Sequence, residues 1–171
     1  KPRRGLLRHL YIRTNQAGQS LICVLVNGKK LPHEPELVSL LRQAVRGKEL
    51  TLPVAVDVEE NKLKPMSTLD LTNLTAYALE QVERMGFYAQ LYTYTHYSNM
   101  ELDMGRLANR WDVWLSDTTG RTPAVGYHYN AHQHTSEGSV PGISGNVDLN
   151  VTTVNYPRII EKKGLTRLRE A

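Results

Sequence analysis

Cysteine is nearly absent: Cys23 is the only one in 171 residues. A single thiol excludes an intrachain disulfide and a cysteine-based zinc site. It sits in the apolar run 21–26, Leu-Ile-Cys-Val-Leu-Val. No cationic neighbour there would activate a thiolate, so Cys23 reads as an inert strand residue. Long apolar runs are missing too. None reaches the roughly 18–20 residues that a membrane helix needs, and the longest is strand-sized. The chain opens on Lys-Pro-Arg-Arg, but no apolar segment with a small-residue cleavage site follows. No signal peptide is readable, which leaves export open, since a processed or partial chain would look the same.

Acidic residues and aromatics are scarce only at the start. Residues 1–48 carry ten Lys and Arg against two Glu, whereas residues 49–171 carry eleven basic against fifteen acidic residues, for a net charge of +4. Tyr11 is the only aromatic among the first 48 residues. The break predicts two pieces, residues 1–47 and 48–171, or a basic arm on an acidic domain. The apolar fraction of 40% is enough for a packed core and excludes a wholly disordered chain.

Residues 7–13 and 20–27 have strand character, and Asn15 to Gly18 between them reads as a hairpin turn. Glu36 to Val45 has helical spacing. Gly47 marks a boundary. Leu50 to Glu59 is β-branched and apolar on most positions, as in a strand buried on both faces. A polar loop from Glu60 leads to Ser67 or Thr68, either of which can cap a helix running to about Met85. That helix would bury Leu71, Leu74, Ala78, Leu79 and Val82 on one face, and Gly86 would end it. Strands are expected at 87–95, 112–116, 131–135 and 145–150, with short helices at 103–109 and 157–163.

Alternating strands and helices predict a parallel α/β fold, in which chemistry gathers at the carboxyl ends of the strands. Asp57 and Glu59 end the first of these strands. Tyr92 and Tyr94 lie late in the second, Asp117 follows the third, Gln133 lies in the fourth and Asp148 ends the fifth. Such clustering favours a site over scattered surface polarity.

Asp57-Val58-Glu59 is the sharpest local feature. Residues i and i+2 of a strand share a face, and two carboxylates there repel when both are ionised. One is expected to keep its proton at neutral pH. An acid beside a carboxylate is the equipment for cleaving a glycosidic bond. The plain alternative is a solvated acidic strand end. From Gln133 to Asn150 the chain has glycines at 138, 142 and 145, which read either as a surface loop or as a tight path presenting Asp148.

Five stretches carry a resemblance. They are residues 52–59 (Leu-Pro-Val-Ala-Val-Asp-Val-Glu), 86–94 (Gly-Phe-Tyr-Ala-Gln-Leu-Tyr-Thr-Tyr), 111–115 (Trp-Asp-Val-Trp-Leu), 133–150 and 156–165. In this order they make residues 49–165 resemble the C-terminal part of glycoside hydrolase family 25, the lysozymes (muramidases) that cut bacterial peptidoglycan. The resemblance implies a partial, irregular β/α barrel (TIM-like), here preceded by a β-hairpin and helix. It implies Glu59 as acid/base and Asp57 as its partner, assisting the substrate acetamido group or stabilising an oxocarbenium ion. Asp148 matches a third active-site carboxylate. Tyr92, Trp114 and Gln133 match groove positions, and Tyr94 and Asp117 join them from their place at the rim. No cofactor and no metal is implied, and the partner implied is peptidoglycan. The same resemblance suggests a secreted, cell-wall or phage-derived location.

The family's opening strand, which ends in an Asp-Val-Ser-like motif, and two further strands have no counterpart in this chain. Residues 5–45 instead resemble a non-catalytic stretch of the RNA uracil-5-methyltransferases, through Gly5 to Arg13, Leu21 to Gly28 and Leu31-Pro-His33. The chain thus reads as a fusion joined near Ala44 to Gly47. Missing barrel strands predict open edges and weak or no turnover. The rival reading is a non-catalytic glycan- or RNA-binding fragment. Arg3, Arg4, Arg8 and Arg13 could meet phosphates, but without interleaved aromatics they read as a solvated basic face rather than a nucleic-acid site. His128, His132 and His134 suit zinc in type, yet read as groove or surface histidines. His132 stands where the family usually has Trp.

Overall fold

A computed structural model of the chain describes residues 7–14, 20–26, 34–59 and 65–167, with backbone only at 7–14, 20–26, 34, 37, 38, 41 and 44. The hairpin turn at Asn15 to Gly18, the start of the loop at Glu60 and the side chain of Cys23 lie outside what is described. The chain divides into two compact units. One comprises residues 1–54, 80–88 and 156–171; the other comprises residues 55–79 and 89–155.

In the first unit, β1 (Leu7–Thr14) and β2 (Ser20–Val26) pair antiparallel as a two-stranded sheet. Helix α1 (Glu34–Val45) follows. Leu50, Val82, Phe87, Tyr156 and Ile160 are buried. Leu50 N–H donates to Thr166 C=O, and Val54 N–H to Tyr88 C=O. The terminal helix α5 (Tyr156–Lys163) packs the edge of the Tyr156 ring against Tyr88, and Lys163 lies over the same Tyr88 ring.

The second unit holds most of a five-stranded sheet in the order β3-β4-β5-β6-β7. Its strands are β3 (Val54–Asp57), β4 (Ala89–Tyr94), β5 (Asp112–Ser116), β6 (Ala131–Gly138) and β7 (Val147–Thr152). Strands β4, β5 and β6 are parallel. The bonds from Val54 to Tyr88 and from Val58 to Tyr92 advance in step, as in a parallel pair. Strand β7 departs from the all-parallel expectation and runs antiparallel to β6. The link between β6 and β7 is only a short glycine-bearing loop, too short for the crossover that a parallel neighbour requires. Strand β3 also differs from expectation. All four of its residues are half-buried rather than enclosed on both faces, because it ends the sheet.

Helix α2 (Thr68–Arg84) starts where the sequence indicates. Ser67 Oγ accepts the Asp70 N–H at 3.1 Å and donates to the Asp70 carboxylate at 2.7 Å, a reciprocal cap. Gly86 closes the helix at φ 94°, a conformation that costs glycine little. The buried face is Leu71, Thr72, Thr75, Ala76, Leu79 and Val82, whereas Leu74 is exposed. Thr75 can be buried because its hydroxyl bonds the Leu71 carbonyl. Two polar threonines thus take the inward stripe in place of the leucine expected there.

Helix α3 (Thr95–Glu101) was not foreseen, since residues 87–95 read as one strand. The strand stops at Tyr94 and the helix begins at once, burying Tyr97 and Ser98. Its residues, Thr-His-Tyr-Ser-Asn-Met-Glu, lack an apolar period. A short helix α4 (Met104–Leu107) follows, capped by Asp103 on the Arg106 N–H at 3.1 Å. Leu91, Val113 and Leu115 of the sheet are fully buried, as are Leu71, Leu79, Tyr97 and Leu107 of the helices.

Candidate active site

Strand periodicity decides which side chains reach the site. Along β4 and β5 the buried residues Leu91, Thr93, Val113 and Leu115 alternate with half-buried Tyr92, Tyr94, Trp114 and Ser116. One face is therefore core, and the other carries the aromatic and polar groups. The pairing aligns that face in two rows. Tyr94, Ser116, Gln133 and Asn150 lie side by side across four strands, and Tyr92, Trp114, Ala131 and Thr152 form the row behind them.

Two diagonals tie the rows together. Tyr92 reaches from β4 to β6, where its hydroxyl donates to Gln133 Oε1 at 2.8 Å. Trp114 reaches from β5 to β7, where its indole N–H donates to Asn150 Oδ1 at 2.9 Å. The two rings meet nearly at right angles, with centroids 4.8 Å apart. That edge-to-face geometry is worth ~0.5–1.5 kcal/mol beyond area burial. Gln133 is buried, and its carbonyl oxygen accepts a second bond, from Ser116 Oγ at 2.6 Å.

The three carboxylates singled out in the sequence all lie near enough to Tyr92 to act on it electrostatically. Burial pushes the Tyr92 hydroxyl up to about 12, with further upward pushes from Glu59, Asp57 and Asp148 and an opposing bond from Ser116. Asp57 and Glu59 come from the end of β3, beside Tyr92 on β4, where Val58 N–H bonds the Tyr92 carbonyl. Between them, Val58 points into the core, and its carbonyl takes the Thr93 hydroxyl at 2.8 Å. That anchorage turns Asp57 and Glu59 to the opposite face. Asp57 Oδ1 is shut off from solvent. Asp148 arrives by a route the sequence reading had reversed. It lies near the start of β7 rather than at a strand's end, and reaches the same rim because β7 runs antiparallel.

Asp117 and Tyr94 have different surroundings. Asp117 Oδ2 accepts the Thr95 hydroxyl at 2.7 Å, and Oδ1 accepts the Thr119 N–H at 3.1 Å and its hydroxyl at 2.6 Å. Burial raises this carboxyl, but those bonds and nearby His132 outweigh it and hold it below the ordinary value. Its backbone carbonyl meets His132 Nε2 at 3.0 Å. Asp117 thus stitches the loop after β5 to α3. Tyr94 flanks Thr95 as the helix cap residue and tilts its ring on Tyr97. The loop is pinned again by Tyr127 to Ser98 and by Asn99 to the Ala124 carbonyl.

Ser116 and Asn150 were missed in the sequence. Alternation was the available signal, because each lies two residues from a residue already singled out, Trp114 and Asp148. Among the described residues, no group of three or more His, Cys, Asp or Glu could hold a metal ion. His132 makes edge contacts with the rings of Tyr129 and His134.

A sheet that presents paired carboxylates and aromatics along one rim is the arrangement of carbohydrate-cleaving barrels. The chain belongs to glycosyl hydrolases family 25, whose family model matches residues 39–143. No curated protein matches it. Two solved structures are similar. One is the CTP1L endolysin, whose activity is described as regulated by a secondary translation product; it is 19% identical, with a TM-score of 0.57 over 80% of this chain and 47% of that one. The other is a family 25 glycosyl hydrolase from Bacillus anthracis, 22% identical, with a TM-score of 0.52 over 64% of this chain and 54% of that one. The chain spans about half the length of each. The shared fold bears out the partial β/α barrel expected from the sequence.

Proposed function

We propose that this chain is a lysozyme-like glycoside hydrolase, an N-acetylmuramidase acting on the β-1,4 bonds of bacterial peptidoglycan. The observation that carries the reading is the pair Asp57 and Glu59 at the end of β3, set beside Tyr92 by the Val58 N–H bond to its carbonyl. Glu59 serves as the acid that protonates the leaving glycosidic oxygen. The bond to the anomeric carbon then breaks with its electron pair on that oxygen. Asp57 orients the acetamido group or, with Asp148, stabilises the positive charge left on the ring. Water adds to the anomeric carbon, and Glu59 recovers its proton from it. Trp114 and Tyr92 offer ring faces to the sugar, while Gln133, Tyr94 and Asp117 complete the rim.

Family membership and the endolysin neighbour support action at the cell wall by a secreted or phage-derived protein. Residues 48–171 carry this chemistry. Residues 1–38 lie outside the family match and carry none of the candidate carboxylates. No helix among the described residues is long and apolar enough to cross a membrane.

Weak or no turnover is expected, because the family strands that precede the Asp-x-Glu strand are not readable in this sequence. Clearing of bacterial cell-wall suspensions, followed by turbidity, tests the reading. Slow clearing that disappears in Glu59→Gln supports it. Retained binding without clearing selects the glycan-binding alternative.

A further inference from the structure

A primary amide offers two nearly identical ends, and its partners decide which end points where. Gln133 is buried and offers its carbonyl to two hydroxyls, Tyr92 at 2.8 Å and Ser116 at 2.6 Å. Neither contact would survive a flip unchanged, because both hydroxyls would then have to turn and accept. Ser116 is fixed for this task by register, since it pairs directly with Gln133 across β5 and β6. It also lies within hydrogen-bonding reach of the Tyr92 hydroxyl.

We propose that Ser116 is a positioning residue that holds Gln133 carbonyl-first, so that the Tyr92 proton is committed to Gln133 and withheld from the carboxylates beside it. The charged groups facing Tyr92 are Glu59 and Asp57 from the end of β3 and Asp148 from β7; its other polar partners, Ser116 and Gln133, are neutral. A phenol donating to one of those carboxylates would stabilise its anion and make it a poorer proton donor. Directing the phenol at an amide leaves Glu59 able to keep the proton that cleavage consumes. The role rests on the glycosidase reading and deepens it.

The test is a titration of the whole 171-residue chain, following the Asp57, Glu59 and Asp148 carboxyl carbons by 13C NMR. In Ser116→Ala the amide is free to turn and Tyr92 to donate elsewhere. The midpoint of Glu59 or Asp57 is expected to fall by ~0.5–1 unit. Ser116→Thr, which keeps a hydroxyl, restores the wild-type midpoint. Gln133→Met, which removes the acceptor outright, reproduces the fall by a second route. Three midpoints unchanged in a folded Ser116→Ala or Gln133→Met protein overturn the proposal. This readout needs no turnover. Absence of Glu59-dependent cleavage in the wild type would instead count against the glycosidase reading.

Discussion

Tyr92 on β4 and Gln133 on β6 are joined by a 2.8 Å hydrogen bond that passes over β5 between them. The bond ties the parallel part of the sheet together at the level where the carboxylates gather. Tyr92→Phe keeps the ring against Trp114 and removes only the hydroxyl. Gln133 then retains Ser116 as its donor, so the loss of stability is expected to be ~1 kcal/mol by urea denaturation. The activity loss is expected to exceed what that destabilisation explains, at about tenfold or more in kcat/KM. Equal activity in Tyr92→Phe would show that the bond from Tyr92 to Gln133 does not serve the site.

The alkaline limb of stability follows from Tyr92. Its folded value, about 12, lies above the ordinary 10.0, so the folded state holds its proton more tightly than the unfolded chain. The associated stability is complete below pH 10 and is lost as pH rises from 10 towards 12. Burial raises Tyr127 as well, with the same sign. Thermal melts of Tyr92→Phe should therefore show a shallower decline over that window, with the residue of the slope assigned to Tyr127. A slope identical to wild type contradicts the burial of Tyr92.

Asp117 acts at the other end of the scale. Its folded carboxyl is held below 3.8, so the stability it contributes is present above that value and is lost as pH falls through the folded one. Asp117→Asn should flatten the acid limb of melting temperature against pH. It should also loosen the loop after β5, seen as faster amide exchange at Thr119. An unchanged acid limb would show that the bonds from Thr95 and Thr119 do not govern it.

Gly138 is required by close approach rather than by backbone angle. A β-carbon there would collide with the Leu149 side chain and lie 2.8 Å from the Val147 carbonyl. Gly138→Ala should cost ~1–3 kcal/mol and displace β7, the strand that carries Asp148. Leu149→Ala in the same chain opens the space and should recover part of the loss. A double-mutant cycle in denaturant measures the coupling, and strict additivity would rule out the collision.

Much of this fold was legible where one residue type dictates one outcome. Ser67 and Gly86 marked the ends of α2. Asp57 and Glu59 were readable as a pair because strand spacing alone puts i and i+2 together. What escaped was decided by tertiary contacts. Helix α3 is held by buried Tyr97 and by the Thr95 bond to Asp117, neither of which leaves an apolar period. The reversal of β7 lies in a loop whose glycines fit several paths. Ser116 carries no local signal of its bond to Gln133, since the partner is 17 residues away.

Glu59 bears the central claim, and the most direct measurement counts bonds broken. Purified peptidoglycan is incubated with wild type and with Glu59→Gln, and new reducing ends are quantified in each. Slow, steady release by the wild type and none above background from the variant, with both proteins bound to the wall, is the result expected. No release from bound wild type, or equal release from both, would contradict glycosidic cleavage by this carboxylate.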